Sequence, residues 1–390
     1  MRQQRELLAV ESYELEITVD PAAIACRTVI HFRCHQPGTT VFADLAATQV
    51  DSVIVNGRAV DVAVNWDGSR LTVPNVATSN GVEVAALFPY NAQDRGYRLV
   101  SDAADTYVYD LAYPRSAPKC FCCFDDPRLR AHVTVTMTVP AGWNCLANGP
   151  VAVGEGGRWR FAPTAPIAPY VVAMAAGPWS VSHHRTIRTA TGMTPITIHA
   201  RRSRGATTAL GRRVADLAER SLLAYEAILG VPYPYRKCDI VFVPDLPPLA
   251  FSAPGIIMIK DDALDATHDR EPEYAATVIG HEVAHAWFGG SVDWMDAWLN
   301  EALTTYISHV ALERYQSNAT NGDQPDAAYA SDARLISDLE TTIGRDAVLR
   351  GLQTFLQRYA DTTATRLDLT ECWSQAGGHD LTTWAQDRTP

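Results

Sequence analysis

Apolar and polar residues alternate over long stretches of the first half of the chain. Tyr13, Leu15, Ile17 and Val19 form one run, Cys26, Thr28, Ile30, Phe32 and Cys34 a second, and Val133, Val135, Met137 and Val139 a third. A period of two sets one face of a strand against a core and the other against water. Asn56-Gly57, with Val53-Ile54-Val55 before it and Val60 after it, is a strong hairpin signal, because both residues tolerate the positive φ of a two-residue turn. Many short strands broken by turn residues predict an antiparallel β domain over residues 1–188. Cys120-Phe121-Cys122-Cys123 reads as a buried strand with small apolar thiols.

The pattern then changes to a helical one. Ala206 to Leu229 carries helical spacing and stops at Gly230, with Pro232 and Pro234 beyond. Cys238 to Val243 reads as a short apolar strand. Pro272 suits the first turn of a helix running through Phe288, and Gly289-Gly290 ends it. Trp298 to Tyr315 is predicted as a further helix, and from Tyr329 onward Gly344 and Gly377-Gly378 divide shorter ones. The expected fold class is therefore α+β and multidomain, with a mostly helical domain over residues 189–390.

Composition narrows the function. Of 390 residues, 47% are hydrophobic and 20% charged, a globular balance. The net charge of −11 argues against nucleic acid as a partner, since phosphates require a basic face. No apolar run reaches the ~18 residues of a membrane span, and Met1 to Glu11 lacks the apolar stretch of a secretory signal. A soluble, cytoplasmic protein is expected. The eight cysteines are too scattered for a disulfide framework.

Chemistry concentrates in His281-Glu282-Val283-Ala284-His285. Residues four apart share a helical face, so two imidazoles there can bind one zinc ion. Glu282, adjacent but offset, can take a proton from water that the metal acidifies. Catalytic zinc needs three protein ligands and one open position. Glu301, early in the next predicted helix, supplies the third if the two helices form a hairpin.

His281 to Gly289 (HEVAHAWFG) followed by Trp298-Leu299-Asn300-Glu301 resembles the aminopeptidase N family of gluzincin metallopeptidases, which also holds the leukotriene hydrolases. The resemblance runs through nearly the whole chain. Phe121 to Arg130 (FCCFDDPRLR), Cys145-Leu146-Ala147-Asn148-Gly149-Pro150 and Gly230 to Pro244 (GVPYPYRKCDIVFVP) also resemble family segments. The resemblance implies a thermolysin-like catalytic domain with one zinc per chain, held by His281, His285 and Glu301, and Glu282 as general base. It further implies an oxyanion-binding tyrosine, for which Tyr329 has the matching spacing.

Several departures bear on specificity. The link from His285 to Glu301 is shorter than in the family, with the shortfall between Gly290 and Asp296. The family's amine-anchoring loop falls here on Leu249, Ala250, Phe251, Ser252 and Ala253, so its glutamate is replaced by Ser252. The family glutamine near the same amine falls on Leu111, or on Asp110 if the spacing slips by one. A buried ammonium needs a charged partner, so an uncharged group is expected beside Leu249, Ala250, Phe251, Ser252 and Leu111. The family usually carries a further helical domain after this point. Without one, the cleft stays open or is covered by a protein partner or by self-association. The expected substrate is a peptide or a peptide-like small molecule.

Other readings remain open at this level. An ordinary aminopeptidase, a non-catalytic peptide-binding relative and a hydrolase of epoxides or other small molecules all fit the same motif. His183, His184, His199, His309 and His379 read as surface or core residues. Trp287, Trp294 and Trp298 read as packing between the zinc-motif helices.

Overall fold

The computed structural model describes residues 2–91, 95–102, 104–204, 208–263, 272–294, 297–316, 327–382 and 384. The chain forms two compact units. The first comprises Met1–Ser180, Arg201–Gly205 and Ala253–Ile256; the second comprises Val181–Ala200, Ala206–Ser252 and Ile257–Pro390. The division at 180 precedes the expected 188, and two short segments return to the first unit.

The first unit opens with α1 (Arg2–Leu7), β1 (Leu8–Val19), β2 (Ile24–Cys34), β3 (Val41–Asp44), β4 (Gln49–Val55) and β5 (Arg58–Ala59). Then come α2 (Val62–Asn65), β6 (Arg70–Val73), β7 (Ser79–Phe88), β8 (Gly96–Asp102), β9 (Asp105–Leu111) and β10 (His132–Thr138). It closes with β11 (Asn144–Ala147), β12 (Val151–Glu155), β13 (Arg158–Phe161) and β14 (Met174–Gly177). The main sheet has eight strands, in the order β12-β13-β10-β1-β2-β7-β4-β5, and a second has four, β11-β14-β9-β8. Period-two burial along β1 and β2 explains the pairing: Tyr13, Leu15, Ile17, Ile30 and Phe32 all turn into the core. Ser12 resumes the β1–β2 register after a shift at Glu11, a one-residue bulge.

Two expectations need correction here. The main sheet is not wholly antiparallel, because β1 and β10 run parallel, Ser12 pairing with His132 and Thr18 with Thr138. Parallel neighbours require a long crossover, and residues 20–131 supply it. Nor is Cys120 to Cys123 a strand. Those residues are buried and reduced, but they lie in irregular backbone, with a single bridge from Cys123 to Asp44. Aromatic packing holds them: Phe121 meets Tyr13 edge-on at 5.9 Å and Phe124 meets Phe32 at 5.1 Å, each pair contributing about 0.5–1.5 kcal/mol. The Asn56-Gly57 turn has both φ values positive, 51° and 77°, as its hairpin requires.

Most of the second unit's length before residue 261 lies in β15 (Trp179–Thr189), β16 (Gly192–Arg201), α3 (Thr208–Leu229), β17 (Cys238–Val243), β18 (Ala250–Ala253) and β19 (Ile256–Lys260), whose end residues at 179–180, 201, 253 and 256 fall in the first. After these come α4 (Pro272–Ala284), β20 (Asp293–Trp294), α5 (Ala297–Gln316), α6 (Ala327–Ile343), α7 (Arg345–Tyr359), β21 (Thr363–Ala364) and α8 (Arg366–Gly377). Its sheet runs β15-β16-β17-β19-β18, with β16 and β17 parallel and β18 at an edge. The second unit is thus mixed, with a five-stranded sheet among its helices. A core of its own includes Leu222, Tyr225, Val283, Trp287, Leu299, Leu303 and Trp373. Among the described residues no helix is long and apolar enough to cross a membrane.

Candidate metal centre

Helix α4 ends sooner than its sequence suggests. The expected span reached Phe288, but regular helix stops at Ala284. An i to i−4 bond from His285 N–H to His281 O at 3.3 Å carries the helical path through the second histidine, and a second joins Phe288 N–H to Ala284 O at 3.3 Å. The bonds then tighten to i−3 at Ala286 and Trp287 and widen to i−5 at Gly290, Ser291 and Val292. Burial drives the change: Trp287 and Phe288 are fully enclosed. Trp287 packs edge-on against Tyr225 and Tyr233, each at 5.8 Å, and donates Nε1–H to Val231 O at 3.0 Å. Trp287 therefore packs the core, against α3 and the segment after it. The side chains of Trp294 and Trp298 lie outside the described residues. The Tyr225 hydroxyl donates to Gly280 O at 2.9 Å and ties α3 to the turn before the first histidine.

Helix α5 brings Glu301 to the two imidazoles. Glu301 Oε2 lies 3.1 Å from His281 Nε2, and Oε1 lies 3.7 Å from His285 Nε2. All three donor atoms fall within 4.8 Å of one another, the group of this kind found among the described residues. The short link between His285 and Glu301 does not hold the ligands apart. Their side chains keep 18%, 17% and 24% exposure, enough for water to reach the point where they converge.

The histidine tautomers follow from the surroundings. His285 Nδ1 faces two acceptors: Phe288 O at 3.1 Å and the Thr304 hydroxyl at 3.4 Å. Thr304 spends its own proton on Asn300 O at 2.6 Å, so Nδ1 must carry the hydrogen. That leaves the Nε2 lone pair for a metal. Thr305 Oγ lies 3.4 Å from His281 Nδ1. Two imidazole nitrogens, one carboxylate and open access form a donor set suited to zinc. Burial works to raise the Glu301 carboxyl. The His281 hydrogen bond and the neighbouring His285 ring outweigh it, leaving the group below its ordinary value.

Glu282 is held separately. The Ser252 hydroxyl donates to its Oε2 at 2.5 Å and lies 3.0 Å from its backbone carbonyl. Burial raises the Glu282 carboxyl above its usual range, against the opposing pull of His285 and Ser252. The residues expected to line the substrate are split by strand geometry. Ser252 and Ala250 share one face of β18, whereas Phe251 is buried on the other. Leu249 is 39% exposed just before the strand. Leu111 and Asp110 are buried on β9 of the first unit, where Asp110 Oδ1 accepts from Met174 N–H at 2.6 Å. Tyr329 lies in the first turn of α6, but its side chain is outside the described residues. Sequence reasoning missed Thr304, Thr305 and the role of Ser252. The first two were readable from their place one turn after Glu301, but Ser252 carried no local signal.

Residues 214–325 match the Peptidase family M1 domain. Over 99% of its length the chain is 26% identical to aminopeptidase N of Streptomyces lividans, covering 50% of that protein. Both matches support the aminopeptidase N family of gluzincin metallopeptidases, and the matched segment holds His281, Glu282, His285 and Glu301. A leucyl aminopeptidase of Saccharolobus solfataricus is also similar, 24% identical over 88% of this chain and 48% of its own. Aminopeptidase M1-A of Oryza sativa subsp. japonica is 24% identical over 69% of this chain and 35% of its own. The chain thus spans half or less of the length of these relatives.

Proposed function

We propose that this chain is a zinc-dependent hydrolase of a peptide or amide bond. The observation that carries the reading is the convergence of His281, His285 and Glu301 beside a separately held Glu282. Zinc bound by those three residues would supply an open coordination position and acidify water there. Glu282 accepts the proton of the attacking water and returns it to the departing nitrogen. The His285 Nδ1–H bond to Phe288 O keeps that imidazole aimed while charge develops. Tyr329, by its spacing, donates a hydrogen bond to the oxyanion of the tetrahedral intermediate.

The substrate's cleaved end is uncharged in this reading. Ser252 is neutral and its proton is directed at Glu282, so it offers a substrate ammonium no counter-charge. Exposed Leu249 and neighbouring Ala250 suit a blocked or internal amide. A second reading, release of N-terminal residues, is favoured by the names of the relatives.

One assay separates the two. Zinc content is measured, and a pair of peptides, free and N-acetylated, is offered to the wild type and to Glu282→Gln. Cutting of the acetylated peptide, reduced roughly 10²–10⁴-fold in the variant with zinc retained, is the expected result. Cutting of the free peptide alone would establish the aminopeptidase reading instead. Absence of bound zinc would overturn both. Tyr329→Phe is expected to lower kcat by roughly 10²–10³-fold at near-constant KM; an unchanged kcat would remove Tyr329 from the site.

A further inference from the structure

Ser252 and Glu282 lie thirty residues apart in the sequence, on β18 and α4 of the same unit. The Ser252 Oγ stands within hydrogen-bonding distance of two atoms of one residue, Glu282 Oε2 at 2.5 Å and Glu282 O at 3.0 Å. A serine hydroxyl has one proton to give, and the short contact marks the carboxylate as its acceptor. The carbonyl contact still matters. A group resting on both the main chain and the far end of the same side chain restricts every torsion between them. Glutamate has three such torsions and much rotamer freedom to lose. Among the described residues Oε1 of Glu282 has no hydrogen-bond partner, so this bond leaves one carboxylate oxygen free for water. A hydroxyl both donates and accepts, so the contact survives when the carboxyl carries a proton.

Building on the hydrolase reading above, we propose that Ser252 is a positioning residue for Glu282, fixing the carboxylate so that its free oxygen faces the attacking water. The assignment gives the serine a use other than substrate recognition. It also makes edge strand β18 part of the support of the general base. Displacing a catalytic group by about 1 Å can cost roughly 100-fold in rate, so the bond has a measurable consequence. Ser252 touches none of the three metal ligands in the described hydrogen bonds, so metal binding should not depend on it.

The test uses the zinc-loaded full chain and three forms: wild type, Ser252→Ala and Ser252→Thr. Threonine keeps the hydroxyl and suits a strand. On whichever peptide of the free and acetylated pair the wild type cuts, Ser252→Ala should lower kcat by roughly 10- to 100-fold. KM should stay within about twofold and zinc content should be unchanged, while Ser252→Thr recovers most of the rate. Unchanged kcat in Ser252→Ala overturns the proposal. So does a raised KM or lost zinc, which would mark the serine as a substrate contact or a folding residue. If the wild type holds zinc but cuts neither peptide, the hydrolase reading fails, and crystal structures of wild type and Ser252→Ala decide the positioning alone. A single Glu282 rotamer in the first and several in the second supports it; the same rotamer in both overturns it.

Discussion

Asp110 is a carboxyl turned into a core strand. Burial pushes its pKa up to about 7, against the lowering pull of the Met174 N–H. An unfolded aspartate titrates near 3.9, so the folded state holds the proton more tightly. The resulting stabilisation is full below about pH 4 and is lost as pH rises towards about 7. Asp125, also near 7 and raised by burial and by the Asp44 charge, acts in the same direction. Asp110→Asn keeps an oxygen for Met174 and removes one titration. Its urea midpoint should vary less between pH 5 and pH 7.5 than that of the wild type, and parallel curves would refute the assignment. Such residue-scale facts were the least legible in the sequence. The candidate ligands His281 and His285 were readable because their spacing is local. The Ser252–Glu282 bond and the Asp110–Met174 bond join positions that only the fold brings together.

At the scale of elements, two glycines of the same composition should behave differently. Gly57 sits in the β4–β5 turn at φ 77° with nothing within 4 Å of an added Cβ. Gly57→Ala should therefore cost only the strain of a left-handed backbone, about 1–2 kcal/mol. Gly351 lies in α7, where an added Cβ would meet Trp373 Cδ1 of α8 at 2.3 Å. Trp373 is fully buried and donates Nε1–H to Val348 O at 3.1 Å, so it cannot swing away. Gly351→Ala should force α7 and α8 apart and cost about 1–3 kcal/mol of overpacking, despite alanine's better helix propensity. Denaturation midpoints compare the two; a stabilised Gly351→Ala would mean that α8 yields freely. Most elements were readable because alternation and helical spacing repeat over many residues. The end of α4 was not, since Trp287 and Phe288 continue a helical pattern while their burial pulls the backbone out of it. The parallel β1–β10 pairing also has no local mark.

The described residues form two hydrophobic cores, and the three candidate ligands all belong to the second unit. A ligand that binds only the folded state stabilises it by about 4 kcal/mol at a thousandfold excess over Kd. Stripping zinc with a chelator should accelerate amide exchange in α4 and α5 and leave β1, β2 and β7 unchanged. An equal acceleration in both units would show that they open together.

The division between the units also governs the order in which the chain can fold. Asn148 uses its whole amide inside the first unit: Oδ1 accepts from Ala173 N–H, and Nδ2 donates to Val171 O and to Pro254 O, both at 3.0 Å. Pro254 belongs to a segment that follows the first unit's main body by more than seventy residues. During synthesis from the N-terminus, the sheets can assemble as soon as residue 180 is made, yet Asn148 must wait for its last acceptor. The first unit therefore starts folding early and finishes late, after β15 to β18 have been translated. A gene cut at the apparent boundary would leave its product permanently at that waiting stage.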